Sequence, residues 1–245
     1  MNPEQTIPTK AMILAAGLGT RLRPITNTRP KALVKVDGRT LLEGAIRHLA
    51  DYGVKDLIIN VHHLADQIIQ FLVRNRNFGL NITISDERDQ LLDTGGGLRK
   101  VSWFFAGNDP FFVRNVDVIS DLDLKGLMQH HLQSDALATL AVRNRETSRY
   151  FLFDPEHRLC GWTNLEKGEK ILFLEPSRNL EMLAFSGIQV LSPEIFPLIK
   201  EEGKFSLTQL YLRLAKDHLI KGFVDNDSLW KDVGKDPGEI ANYGL

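Results

Sequence analysis

The chain has 245 residues, 43% of them hydrophobic, with 30 basic against 31 acidic side chains and a formal net charge of −1. That apolar share suffices for a packed core and excludes a disordered chain; the balanced charge excludes a bulk polybasic nucleic-acid binder, though not a local basic pocket. A single cysteine, Cys160, excludes an internal disulfide framework and a cysteine-based zinc site. Residues 1–9 are polar, contain two prolines and read as a loose tail without the apolar stretch of a secretion leader. No apolar run approaches the roughly 18 residues of a membrane-spanning helix. The expectation is a cytoplasmic protein without membrane or nucleic-acid partners.

Residues 11–15 form a continuous apolar run ending in a glycine-bearing loop, the pattern of a strand buried on both faces in a parallel sheet. A long loop with Gly, Pro, Thr and Arg spans residues 17–30. Helical spacing at Leu41, Leu42, Ala45, Ile46 and Leu49 predicts a helix over residues 40–52, closed by Gly53. Residues 56–61 read as a second buried strand, 64–73 as a helix and 81–85 as a third strand. After a triple glycine, residues 97–105 read as a helix, 110–115 as a fourth strand, 122–133 as a helix and 136–142 as a strand. This alternation predicts an α/β, Rossmann-like, mostly parallel sheet flanked by helices. Past Arg143 it loosens into strand-like pieces at 150–153, 159–162, 170–174 and 183–191, read as a small β insertion over the pocket. Helices at 192–200 and 207–216 and a strand at 219–224 follow. With no repeat or linker in sight, residues 10–245 read as one domain behind the 1–9 tail.

The strongest local signal is Leu14-Ala15-Ala16-Gly17-Leu18-Gly19-Thr20-Arg21-Leu22-Arg23-Pro24, with Lys31 seven residues past the proline. Small residues let backbone N–H groups approach an anion without Cβ obstruction. Thr20 adds a hydroxyl, Arg21 a fork for phosphate oxygens and Lys31 a mobile point charge. The loop follows the first strand, where open α/β sheets bind ligands. Its spacing is not that of a P-loop, and Leu22 occupies the third glycine position of a dinucleotide fingerprint.

These residues resemble the signature of the sugar-phosphate nucleotidyltransferases, or nucleoside-diphosphate-sugar pyrophosphorylases: L-A-A-G-x-G-T-R-L-x-P followed by P-K, here Pro30-Lys31. The resemblance implies a GT-A-like nucleotidyltransferase fold that joins an NTP to a sugar 1-phosphate. It implies nucleotide binding by Leu14, Ala15, Ala16, Gly17, Gly19, Thr20, Arg21 and Lys31. Thr94, Gly95 and Gly96 of the D-T-G-G-G segment would pack on the base and ribose. Asn115, Glu175 and Gly187 would meet the sugar phosphate, Gly187 within Phe185-Ser186-Gly187-Ile188-Gln189-Val190, which is similar to F-x-G-I-x-V. Mg²⁺ would be held by Asp117, in Asn115-Val116-Asp117, and Asp232, in Trp230-Lys231-Asp232-Val233-Gly234. Val116 stands where the family usually has glycine, and the E-K-P segment of many members is missing. Arg21, Lys31, Asp117 and Asp232 form the expected catalytic set. A nucleotide-sugar sensor that had lost its chemistry would lack one of these four.

The T-G-G-G segment, the missing E-K-P and the short insertion look most like the N-acetylmuramate-1-phosphate uridylyltransferases, which favours UTP. The mannose- and heptose-1-phosphate guanylyltransferases come next, with GTP. A monomer or small homo-oligomer is expected. Asp121 and Asp123 read as helix caps, His62-His63 and His130-His131 as surface or partly buried side chains, and Trp103, Phe104 and Phe105 as core. Arg143, Arg145 and Arg149 read as solvated cations.

Overall fold

The computed structural model describes residues 10–174 and 179–233. The chain runs β1 (Lys10–Leu14), a hairpin of β2 (Lys35–Val36) and β3 (Arg39–Thr40), α1 (Leu41–Asp51), β4 (Asp56–Val61), α2 (Ala65–Arg74), β5 (Asn81–Asp86) and α3 (Asp93–Lys100). It continues through β6 (Phe111–Asn115), β7 (Val118–Ser120), α4 (Leu124–Ser134), β8 (Ala138–Arg143), β9 (Arg149–Phe153), β10 (Leu159–Asn164) and β11 (Glu169–Leu172). The last described elements are β12 (Glu181–Leu191), α5 (Leu207–Leu214), β13 (Ile220–Val224) and β14 (Trp230–Asp232).

Strand β1 lies between β4 and β6, parallel to both, and β5 extends this parallel core beyond β4. Ala11, Met12 and Ile13 are fully buried, as a strand covered on both faces requires. The sheet is mixed beyond this core. The 11-residue strand β12 pairs antiparallel with β6, β8 and β9, and β13 pairs parallel with β8. The insertion joins the same sheet through β9, and among the described residues β9, β10 and β11 contribute nothing to the lining of the cavity described below. A separate ribbon pairs β14 antiparallel with β7.

One core packs α1, α2 and α4 on one face of the sheet. The other packs α3 and α5 around stacked Phe105 and Phe111, with centroids 3.8 Å apart, and Phe196. Helix starts are locally encoded: Thr40 accepts from the Glu43 N–H at 3.1 Å, and Ser206 with Gln209 forms a capping box on α5. Trp103, expected in the core, is 64% exposed, and Phe105 takes the buried position.

The triple glycine departs from expectation. Gly95, Gly96 and Gly97 are buried inside α3, where the 203–205 segment presses on the first two and the Glu87 and Asn60 side chains on the third. A Cβ at Gly95 would meet the Phe205 ring, and one at Gly96 the Gly203 carbonyl oxygen. Alanine normally stabilises a helix interior by about 1 kcal/mol over glycine. Gly96→Ala should instead destabilise by about 1–3 kcal/mol, the usual cost of overpacking. A lower urea midpoint at constant m-value would register it; an unchanged or raised midpoint would contradict the packing account.

Candidate active site

The carboxyl ends of three parallel strands meet at one level, where Leu14 lies opposite Asn60 on one side and Asn115 on the other. A cavity of about 410 Å³ opens there. Its lining includes Leu14, Ala15, Ala16, Gly17, Gly19, Thr20, Arg21, Lys31, Thr94, Asn115 and Asp117, eleven of the residues expected from sequence. Asn60, Leu91, Asp93, Val116 and Lys204 also line it.

The loop's shape follows from a few bonds. The Ala15 N–H donates to Asn60 Oδ1 at 2.7 Å, and Asn60 Nδ2 donates to buried Glu87 at 2.8 Å. Glu87 also accepts the Leu92 N–H at 3.2 Å, so one buried polar chain ties the loop to β4 and the entry of α3. Gly19 turns the chain with φ +63; a Cβ there would stand 2.8 Å from Thr26 Cγ2 and 3.1 Å from Lys31 Cβ. That conformation and that closeness both require glycine. The Thr26 hydroxyl donates to the Gly19 carbonyl at 2.8 Å. Lys31 is 9% exposed beneath the loop and forms an ion pair with Asp117, whereas Thr20 and Arg21 are exposed on the rim.

Asp117 sits in the turn between β6 and β7, and Asp232 on β14 lies opposite Val118 in the β7–β14 register. The Val233 N–H donates to the Asp117 carbonyl at 3.1 Å, so the two aspartates stand on adjoining backbone. Among the described residues no three His, Cys, Asp or Glu side chains gather to hold a metal by themselves. Asp117 lines the cavity and Asp232 does not; two carboxylates borne on adjoining backbone suit a hard cation that takes its other ligands from phosphate oxygens and water, as Mg²⁺ does.

Other expected residues stand apart from the cavity or spend their polar groups on the fold. Gly95 and Gly96 spend their N–H groups on the Phe205 carbonyl, at 2.9 and 3.2 Å, and are absent from the lining. The Thr94 hydroxyl accepts the Leu207 N–H at 2.9 Å, which fastens α3 to α5. Gly187, with φ +79, lies behind Asn115; a Cβ there would stand 2.7 Å from Val118 and 3.2 Å from Asn115 Nδ2. Glu175 and Gly234 lie outside the described residues, as does the 1–9 tail.

Arg143 and Arg145, expected as solvated cations, are instead structural. Arg143 is 8% exposed and donates to the Asn226 and Ser228 carbonyls at 3.2 and 2.9 Å. Arg145 lies over the Trp230 ring at 4.3 Å and donates to the Phe185 carbonyl at 3.1 Å. The Trp230 indole donates to the Ser186 carbonyl at 2.8 Å. Together they fasten the approach to β14, and hence Asp232, onto β8 and β12. Burial pushes Arg145 below the usual guanidinium range, and the Asp232 charge opposes that shift.

Of the residues missed from sequence, Asn60 carries a faint signal as an amide next to the end of a mostly apolar strand. Lys204 carries none, because a lysine between a glycine and a phenylalanine reads like any surface cation.

Residues 10–237 match the model of the nucleotidyl transferase family. An N-acetylmuramate alpha-1-phosphate uridylyltransferase of Caulobacter vibrioides is 33% identical, the match covering 96% of this chain and 95% of that protein. Mannose-1-phosphate guanyltransferase 2 of Candida glabrata is 32% identical over 96% of this chain, but the match covers only 64% of that longer protein. The crystal structure of HddC from Yersinia pseudotuberculosis, complexed with GMP-PN, superposes with a TM-score of 0.72 over 96% of this chain and 98% of that one. At 23% identity this likeness speaks for the fold. Matched along nearly its whole length by the family model and by a relative of its own size, the chain belongs to the nucleotidyl transferase family and is a sugar-1-phosphate nucleotidyltransferase.

Proposed function

We propose that the enzyme joins UTP to N-acetylmuramate 1-phosphate or a closely related sugar 1-phosphate, releasing pyrophosphate. The observation that carries this reading is the convergence of the glycine loop, the Lys31–Asp117 pair and the Asn115 end of β6 on one cavity. A phosphate oxygen of the sugar 1-phosphate attacks the α-phosphorus of the nucleotide. The new P–O bond forms as the bond to the β-phosphate breaks, and pyrophosphate leaves with that electron pair. The attacking oxygen is already anionic near neutral pH, so no side chain must remove a proton. Catalysis is then positioning and charge neutralisation.

Loop amides from Ala16 to Thr20 cradle the triphosphate. Arg21 on the rim meets the charge that grows on the leaving pyrophosphate, and Lys31 neutralises the reacting phosphates. Asp117 and Asp232 would hold Mg²⁺, which when bound would offset the charge of the phosphates. Asn115 faces the sugar phosphate with Gly187 packed behind it, and Glu175 is expected on the sugar hydroxyls. The base and ribose meet Thr94 and its cavity neighbours Leu91 and Asp93, rather than Gly95 and Gly96.

The choice of UTP is supported by the Caulobacter relative, matched over 95% of its length. The guanylyl reading is favoured by the Candida relative. Both readings assign cytoplasmic metabolites as substrates, and a monomer or small homo-oligomer suffices for a site built from one chain. Pyrophosphate release tests the proposal, with UTP, GTP, CTP and dTTP each paired with N-acetylmuramate, mannose, heptose and glucose 1-phosphates. The highest kcat/KM should belong to UTP with N-acetylmuramate 1-phosphate. A higher value for any GTP pair would overturn the uridylyl assignment, and no release from any pair with binding retained would favour a sensor.

A further inference from the structure

Arg114 is a charged side chain buried in the middle of a sheet. It stands on β6 beside fully buried Val113, is 1% exposed, and makes its hydrogen bonds to neutral groups. Nη1 meets His48 Nδ1 of α1 at 2.7 Å, and Nη2 donates to the Val118 carbonyl at 2.6 Å. Nε is buried without a hydrogen-bond partner. A guanidinium only donates, so His48 Nδ1 accepts and its Nε2–H donates to the Leu122 carbonyl at 3.0 Å. The ring also stands edge-on to Tyr52, whose hydroxyl donates to Asp123 at 3.2 Å. Burial, with the Arg114 charge adding to it, lowers His48 to about 4, and burial lowers Arg114 to about 10. At neutral pH the imidazole is therefore neutral and the guanidinium charged, as these bonds require.

The bonds bracket one turn. Arg114 reaches from the next-to-last position of β6 past Asn115, Val116 and Asp117 to grip Val118 on the far side. Val118 is also the residue paired with Asp232. One guanidinium thus ties the turn carrying the first aspartate to the strand that registers the second, and His48 anchors both to α1. For stability alone apolar side chains in place of both Arg114 and His48 would serve this interior at least as well, since replacing a buried polar pair by well-packed hydrophobic groups is often neutral or stabilising, whereas removing one partner strands the other. A leucine or methionine could fill the space, but neither could bond the turn.

We infer that Arg114 and His48 form a positioning pair that fixes the Asp117 turn against α1 and sets Asp117 relative to Asp232. Its bearing on catalysis rests on the proposed reading of these aspartates as joint holders of Mg²⁺. Neither Arg114 nor His48 touches substrate on this reading; both act through the backbone of the turn.

The test uses the full chain and four variants: Arg114→Met, His48→Phe, His48→Gln and Asp117→Asn. Glutamine offers an acceptor and a donor as the neutral imidazole does, whereas phenylalanine offers neither. Arg114→Met and His48→Phe should bind Mn²⁺ alone, read from the free-ion EPR signal, about 10- to 100-fold more weakly, the usual loss when groups orienting metal ligands are removed. The half-saturating Mg²⁺ concentration in turnover should rise by a similar factor. Hydrogen exchange at residues 116–120 should quicken by more than any fall in the melting temperature accounts for. His48→Gln should remain within about threefold of wild type in metal affinity, a difference below 1 kcal/mol. Wild-type exchange and Mn²⁺ affinity in both Arg114→Met and His48→Phe would overturn the pair, as would losses that merely follow a falling melting temperature. If Arg114→Met does not fold, the two His48 variants decide alone, equal affinity in both overturning the inference. Asp117→Asn separates the readings: retained Mn²⁺ affinity there removes the metal assignment, while hydrogen exchange still reports whether the pair holds the turn.

Discussion

Asp117→Asn should lower kcat about 10³-fold, the upper end for removing one group that stabilises charge developing in a transition state, with secondary structure unchanged. Asparagine keeps the shape of the side chain, and the Asp117 carbonyl still accepts the Val233 N–H, so the turn and the β7–β14 register have no reason to move. What disappears is one negative charge at the junction of the loop and the proposed metal site. Half of the proposed carboxylate set for Mg²⁺ goes, and Lys31, buried beneath the loop, loses its counter-ion. The KM for the nucleotide should change far less, because removing an anion beside the triphosphate relieves repulsion while it weakens the cation's hold. The effect should therefore fall on kcat. Pyrophosphate release at saturating Mg²⁺, with circular dichroism as the fold control, measures the split. Retention of more than about a tenth of wild-type kcat, under 1.4 kcal/mol of barrier, would remove Asp117 from the chemistry.

The parts of this site carried by consecutive residues are legible in the chain. Residues 11–22 announce a buried strand and the small-residue loop after it, because apolar continuity, glycine spacing and basic side chains all act locally. Asp117 is legible for the same reason: it follows a strand, and strand ends deliver residues to the sheet's ligand-binding edge. Features set by distant segments are not legible. Three successive glycines argue against helix by propensity, yet they lie in α3, where Phe205 and Gly203, about a hundred residues away in sequence, leave no room for a Cβ at Gly95 and Gly96, and Glu87 and Asn60 crowd Gly97. Arg143 and Arg145 read as solvated until the Asn226–Trp230 segment folds over them. Arg114 follows an apolar run and gives no sign that its partners are a histidine 66 positions earlier and a carbonyl across the turn. The mixed character of the sheet is hidden similarly, since β12 takes three antiparallel partners from separate parts of the chain.

The Lys31–Asp117 pair should show strong non-additivity in a double-mutant cycle. In the free enzyme each supplies the other's counter-charge in a site mostly withdrawn from water, the side chains being 10% and 23% exposed. Binding of the metal–nucleotide substrate, on the proposed reading, exchanges partners: the carboxylate turns to the cation, and the ammonium to the phosphates. Lys31→Met therefore removes a phosphate contact and leaves Asp117 as an uncompensated anion facing an incoming triphosphate. A kcat/KM loss of about 10³-fold is expected, in the range for one preorganised charge in a low-dielectric site. If the two side chains acted independently, Lys31→Met with Asp117→Asn would lose about 10⁶-fold. Groups that act as a unit do not multiply in this way. The double variant should lie within about tenfold of the worse single, a coupling of about 3 kcal/mol that reaches the upper range for residues in contact. Stability should follow the same logic in smaller measure. Lys31→Met strands a partly buried carboxylate and should lower the urea midpoint, and adding Asp117→Asn should restore part of it. Multiplicative losses in kcat/KM, together with additive shifts in midpoint, would show that Lys31 and Asp117 work separately and that the partner exchange does not occur.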